Sequence, residues 1–161
     1  MFDLPKVKYQ KKEELYIQLI QHVKGLIGGE KDLIANLANI SSLIFNSMED
    51  INWAGFYLYK ENQLVLGPFN GKPACIRITL GKGVCGTAAI KKQTIFVENV
   101  HEFEGHIACD GETLSEIVVP MLVDGQLIGV LDIDSIKISK FDEIDKMYLE
   151  EIVGLIRTEC F

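Results

Sequence analysis

Four cysteines and a close-set pair of aspartates are the residues of this 161-residue chain whose types and spacing reach beyond packing. Cys109 lies in HEFEGHIACDGET, among Glu102, Glu104, Asp110 and Glu112, with Gly105 and Gly111 nearby. A free cysteine is ordinarily a small buried hydrophobe, yet no apolar period surrounds this one. Cys75 opens CIRITL, Cys85 lies near the start of GKGVCGTAAIKK, and Cys160 is second from the end. No C-x-x-C pair occurs and no Cys/His spacing matches a zinc site, which leaves inert buried thiols or redox chemistry. If a short helix begins near Val84, its macrodipole favours a thiolate at Cys85. In IGVLDIDS, strand alternation puts Val130, Asp132 and Asp134 on one face, with Leu131 and Ile133 on the other. Two carboxylates that close repel unless a cation or a shared proton lies between them. A bound ammonium, a divalent metal and a plain solvated sheet face all remain open on spacing alone.

The elements that must position these groups are legible in outline. Residues 11–28 and 31–48 carry apolar residues at helical spacing, the first ending at Gly28-Gly29. NWAGFYLY and QLVLGPF, joined by KEN, read as a hairpin, and CIRITL as a third strand. A short helix from about Val84 and the strand TIFVENV follow, then a polar loop over 98–114. Loops of that length inside compact domains are usually functional or disordered. EIVVPMLVDGQLIGVLDIDS is a hairpin around Asp124-Gly125. SKFDEIDKMYLEEIVGLI opens with Ser139 and Asp142 as a capping box, and its stripe of Ile144, Tyr148 (or Met147), Ile152 and Leu155 predicts a closing helix. The order predicts one α+β domain over residues 1–161.

Composition excludes several classes of function. The net charge of −7 argues against nucleic acid and anionic membrane surfaces as partners. No stretch of ~20 apolar residues could span a bilayer, and MFDLPKVKYQ lacks the apolar run of a signal peptide. The expected location is the cytoplasm, where thiols rest reduced.

Taken together and in order, NWAGFY, GKGVCGTAA, GHIACD, SEIVVPM and GQLIGVLDIDS resemble the free methionine-(R)-sulfoxide reductases, enzymes built on a GAF domain. The resemblance is strong over roughly residues 50–135 and extends to the flanking helices by pattern. It implies a single GAF-like domain: a central antiparallel sheet, N- and C-terminal helices on one face, active-site loops on the other. The implied activity is reduction of free L-methionine-(R)-sulfoxide to L-methionine through a cysteine sulfenic acid and a disulfide, with no metal and no organic cofactor. Thioredoxin and NADPH would regenerate the thiols, and a homodimer is expected. Cys109 takes the place of the nucleophile, Cys75 that of the resolving thiol, and Cys85 that of an alternative resolving or relay thiol; Cys160 has no counterpart. Glu116, Asp132 and Asp134 would hold the substrate's ammonium. Trp53 and Tyr57, which share strand parity, would wall its S-methyl group, although core packing explains strand aromatics equally well. His101 and His106 are candidates for orienting the loop, or are merely solvated.

Glu116 raises a problem of register. A regular ladder closed by Asp124-Gly125 sets Ile117 opposite Asp132 and turns Glu116 to the wrong face. Membership of the site therefore predicts a bulge or odd loop between Glu116 and Asp132, with Pro120 as a plausible place for it. The competing function is a non-catalytic GAF domain that senses a small molecule or redox state. Such a sensor has no need of Cys75, Cys85 and Cys109.

Overall fold

The computed structural model describes residues 9–105 and 110–161. Cys109 and His106 lie outside the described residues. Two N-terminal helices come first. In α1 (Lys12–Ile27), Leu15, Tyr16, Leu19, Ile20, Val23 and Ile27 form the buried stripe. In α2 (Leu33–Ser47), the Asp32 side chain caps the first turn by accepting from the Ala35 N–H at 2.8 Å.

Six strands then form one sheet in the order β3-β2-β1-β6-β5-β4, with every neighbouring pair antiparallel. They are β1 (Ile51–Lys60), β2 (Gln63–Gly71), β3 (Arg77–Thr79), β4 (Ile95–Val97), β5 (Ser115–Val123) and β6 (Gln126–Ser135). Both long hairpins close through two residues of positive φ, Glu61-Asn62 (52° and 61°) and Asp124-Gly125 (48° and 75°). That geometry matches the right-handed twist of the flanking strands. The third strand is shorter than CIRITL suggests, and Cys75 falls in the segment before it. Helix α3 (Gly83–Lys91) lies between β3 and β4, and a 3-10 turn over Val100–Glu102 interrupts the expected loop.

The predicted irregularity in the β5–β6 hairpin is present, but not at Pro120. Pairing runs Leu122↔Leu127 and then Met121↔Gly129, so Ile128 is the extra residue and the bulge lies on β6. Pro120 stays in the ladder opposite Val130, beyond the reach of β4, which pairs only with residues 116–118. Gly129 explains the placement. A Cβ there would meet the Tyr57 carbonyl oxygen at 2.3 Å, so β6 can close on β1 at this point only through glycine. The shift sets Glu116 opposite Asp134 and Val118 opposite Asp132, which brings all three carboxylates to one face.

The sheet buries both faces. Ala54, Phe56, Leu58, Ile117, Val119, Leu131 and Ile133 pack against α1, α2 and α4 (Glu143–Cys160). The opposite face packs Trp53, Tyr57, Leu64, Val118 and Val130 against Val84, Cys85, Ala88 and Ala89 of α3. The expected arrangement holds: the terminal helices share one face, and the loops, joined by α3, occupy the other.

Helix α4 differs from expectation in its cap and its stripe. Ser139 has φ 53°, whereas a capping residue takes an extended backbone. The box forms one turn later between Asp142 and Asp145, whose side chains exchange bonds with each other's backbone N–H. The buried stripe is Asp145, Leu149, Ile152, Val153 and Ile156, while Ile144, Tyr148 and Leu155 lie at its margin and Met147 is 55 % exposed. The stripe rotates because Asp145 is itself a core residue. It accepts from Tyr16 Oη at 2.7 Å and from Lys12 Nζ at 2.6 Å, and so ties the closing helix to the first. Among the described residues, no helix is long and apolar enough to cross a membrane.

Candidate active site

The face of the sheet under α3 holds a recess lined by Trp53, Tyr57, Cys85, Glu116, Asp132 and Asp134, with Lys72, Lys82, Asp110 and Thr113 around it. Strand parity supplies the aromatics from β1, and the bulge supplies Glu116 from β5 beside the two aspartates of β6. Cys85 enters from above, in the first turn of α3. The helix comes this close because Gly86 has no side chain: a Cβ there would meet the Thr79 carbonyl oxygen at 2.5 Å. The structure thus gathers Trp53, Tyr57, Cys85, Glu116, Asp132 and Asp134 into one recess.

Burial sets the protonation of this cluster. Glu116 and Asp132 are both 6 % exposed. Glu116 is pushed well up from the usual carboxylate range by burial and then by the neighbouring charges of Asp132 and Asp134. Asp134 is pushed well up by burial, by Asp132 and by Asp110. Asp132 rises to about 6 through burial, and hydrogen bonds from Cys85 and Glu116 hold it below the other two. Burial and mutual repulsion thus favour the protonated form at all three carboxyl groups. The Cys85 thiol is pushed well up by burial and then by Asp132 and Glu116. The thiolate expected from its place at a helix start therefore does not form, because dehydration and adjacent anions outweigh the macrodipole. It is a neutral donor, 3.8 Å from Glu116 Oε1.

Asp132 Oδ1 is buried with no hydrogen-bond partner among the described residues. An unsatisfied buried anionic oxygen is costly, and here it faces the recess that would admit a ligand. A Cys85 sulfur and oxygens of Glu116 and Asp132, all within 4.8 Å of one another, form a donor set that a divalent cation could also use. Burial pushes Glu116 and Cys85 towards their protonated forms, which weakens both as metal ligands.

Trp53 and Tyr57 have a second role besides walling the recess. Trp53 stacks between Tyr57 (5.9 Å between ring centroids) and Phe69 (5.3 Å). Its Nε1 donates to the Lys72 carbonyl at 3.1 Å, and Tyr57 Oη donates to the Cys75 carbonyl at 3.0 Å. Both rings therefore pin residues 72–75 to β1. Cys75 is half-buried and held in a disulfide, whereas Cys85 and Cys160 are free thiols. Cys160 lies far from the recess, with its sulfur accepting from Asn36 Nδ2 at 3.2 Å. His101 sits exposed on the 3-10 turn.

Asn52, Lys72 and Asp110 were missed by reasoning from sequence. Asp110 Oδ2 accepts from Asn52 Nδ2 at 3.1 Å, and its Oδ1 accepts from the Glu112 N–H at 3.0 Å and pairs with Lys72 Nζ at 3.4 Å. The one available signal was the Lys in NGKPAC, the cation just before Cys75 in sequence, set against an acidic loop without a partner.

A six-stranded antiparallel sheet with helices on both faces and a recess under a short helix is the architecture of a GAF domain, and residues 35–158 match the GAF domain family. Among individual proteins, the chain is 50 % identical over 143 residues to the free methionine-R-sulfoxide reductase of Escherichia coli K12, covering 89 % of this chain and 87 % of that protein. It is likewise 50 % identical over 157 residues to the free methionine-R-sulfoxide reductase of Saccharomyces cerevisiae, covering 92 % and 87 %. The X-ray structure of the Neisseria meningitidis free methionine-R-sulfoxide reductase in complex with its substrate superposes with a TM-score of 0.93 at 39 % identity, covering 99 % of this chain and 95 % of that one. The chain belongs to the free methionine-R-sulfoxide reductase family of GAF-domain enzymes.

Proposed function

We propose that this protein reduces free L-methionine-(R)-sulfoxide to L-methionine. The observation that carries the reading is the convergence of Glu116, Asp132 and Asp134 on one recess, with a buried oxygen of Asp132 lacking a donor. An α-ammonium supplies that donor and a matching charge. A peptide nitrogen supplies neither, so the reading favours a free amino acid over a protein-bound residue. The α-carboxylate is left to Lys82 and to the first N–H groups of α3, which have no partner within the helix. The S-methyl group lies against Trp53 and Tyr57, where sulfur meets aromatic rings favourably.

In the proposed reaction Cys109 attacks the sulfoxide sulfur. A protonated Glu116 or Asp134 gives its proton to the sulfoxide oxygen. The hydroxyl passes with its bonding electrons from the substrate sulfur to the Cys109 sulfur, as the transient bond between the two sulfurs breaks and leaves its electron pair on the methionine sulfur. Methionine departs and Cys109 is left as a sulfenic acid. Cys75 then attacks the sulfenic sulfur; the S–S bond forms, the S–O bond breaks and water leaves. The disulfide at Cys75, against the enclosed neutral thiol of Cys85, supports Cys75 as the resolving residue. Cys85 stays as a relay or alternative resolving thiol. Two thiols supply both electrons, so the scheme needs neither a metal nor an organic cofactor. Thioredoxin, kept reduced by NADPH, resets the pair by exchange, which places the enzyme in a reducing cytoplasm; a homodimer is its proposed form.

The test is NADPH oxidation through thioredoxin and thioredoxin reductase, with each sulfoxide epimer supplied separately. Turnover with the R epimer, abolished by Cys109→Ser and halted after one cycle by Cys75→Ser, is the expected result. Turnover of neither epimer contradicts the proposal.

A further inference from the structure

A polar clamp joins the segment that carries Cys75 to the segment that follows Cys109. On one side, Trp53 and Tyr57 hold the carbonyls of Lys72 and Cys75 against β1. On the other, Asn52 of the same strand donates to Asp110 Oδ2 at 3.1 Å and to Thr113 Oγ1 at 3.0 Å. Lys72 closes the gap between the two by pairing with Asp110 at 3.4 Å and with Glu112. Asp110 is the enclosed member: its side chain is 12 % exposed, against 58 % for Lys72 and 66 % for Glu112. The Glu112 N–H, Asn52 and Lys72 together hold its carboxyl below the usual range, so it stays an anion beside the acidic recess.

We propose that Asp110 and Lys72 are positioning residues for disulfide formation: their ion pair, seated on Asn52, keeps the residue next to Cys109 against the segment that carries Cys75. The step they serve is attack of the Cys75 thiol on the Cys109 sulfenic acid, in which the thiol sulfur is oxidised, the sulfenic sulfur is reduced and water leaves. The clamp ties together the two segments that must meet in that step, whereas the proposed contacts to substrate come from β1, β5, β6 and α3. The proposal rests on Cys109 and Cys75 as the nucleophile and the resolving thiol.

The experiment is a single turnover of the reduced protein with the R sulfoxide and no thioredoxin, quenched at intervals. Methionine released and disulfide formed are measured separately, and dimedone traps sulfenic acid for mass analysis. In Asp110→Ala and Lys72→Ala the clamp predicts that disulfide formation slows about fivefold more than methionine release, the upper end for a solvent-exposed ion pair. Dimedone adducts should rise accordingly, and Lys72→Arg should restore the parent ratio. Because Lys72 and Glu112 face water, about 0.5 M salt should slow the second step of the parent and spare that of Lys72→Ala. If Asp110→Ala does not fold, the Lys72 variants and the salt series decide. An unchanged ratio of the two rates, or equal slowing of both, overturns the clamp. Persistence of methionine release in Cys109→Ser would instead overturn the reading of the nucleophile.

Discussion

Asp132 is asked to be anionic while 6 % exposed and beside two other carboxyl groups, and that conflict has a measurable consequence. Its folded-state pKa of about 6 lies above the ordinary value of 3.8, so the folded protein binds this proton more readily than the unfolded chain does. Stability contributed by this site therefore falls as pH rises from the ordinary value towards 6, and the penalty is complete above that. Asp132→Asn should raise unfolding free energy by about 3 kcal/mol near pH 7.5 and by about 0.5 kcal/mol near pH 4, checked by urea titration at each pH. The same variant should lose about 100-fold in kcat/KM, the order expected when a buried charged partner is removed. A carboxylate that lowers stability while serving activity is what a ligand site requires; a merely structural one would do neither. Asp132 and Asp134 were legible from their types and strand parity, and Glu116 from the resemblance to the reductases. Asn52 and Lys72 were not, because nothing in a one-dimensional pattern tells which cation will reach Asp110 across the fold.

The elements that position the cluster depend on small residues at close approaches. The β6 bulge at Ile128 and the bare Cα of Gly129 let the strand close on β1 with Asp132 and Asp134 turned toward Glu116. Gly129→Ala would drive a Cβ to 2.3 Å from the Tyr57 carbonyl, which belongs to backbone and cannot step aside. It should cost about 2–3 kcal/mol, in the range of overpacked cores, and lower kcat/KM as the aspartates shift; thermal unfolding and steady-state kinetics measure the two. The need for an irregularity was readable from parity once the resemblance assigned Glu116 to the site, since it could not otherwise join the aspartates. Its position was not, because the deciding contact comes from a strand about seventy residues away in sequence. At α4 the opposite failure occurred: a local capping signal at Ser139 lost to Asp142, whose partner Asp145 also anchors Tyr16 and Lys12. Asp142→Ala should cost about 1 kcal/mol of stability and leave KM untouched, since this cap lies on the helix-packed face.

At the scale of the molecule the sheet divides labour between its faces. The face packed by α1, α2 and α4 supplies a continuous apolar core, and the face under α3 accepts buried carboxyl groups whose repulsion that core must outweigh. The order of elements and both long hairpins were legible from periodic segments and turn signals, and the division from the resemblance to GAF-domain enzymes. The depth of the recess and the protonation of its members were not, since burial is a property of the assembled fold. A half-buried cysteine held by Tyr57 and a second thiol against the carboxylates fit chemistry better than sensing. The proposed function stands on capture of a free ammonium by Asp132 and its neighbours. Its most direct test is kcat/KM for L-methionine-(R)-sulfoxide against the N-acetylated compound, which keeps the sulfoxide and loses the cation. A loss of about 100-fold or more on acetylation, absent when the comparison is repeated with Asp132→Asn, is predicted. Equal rates for the two compounds in the parent protein would contradict it.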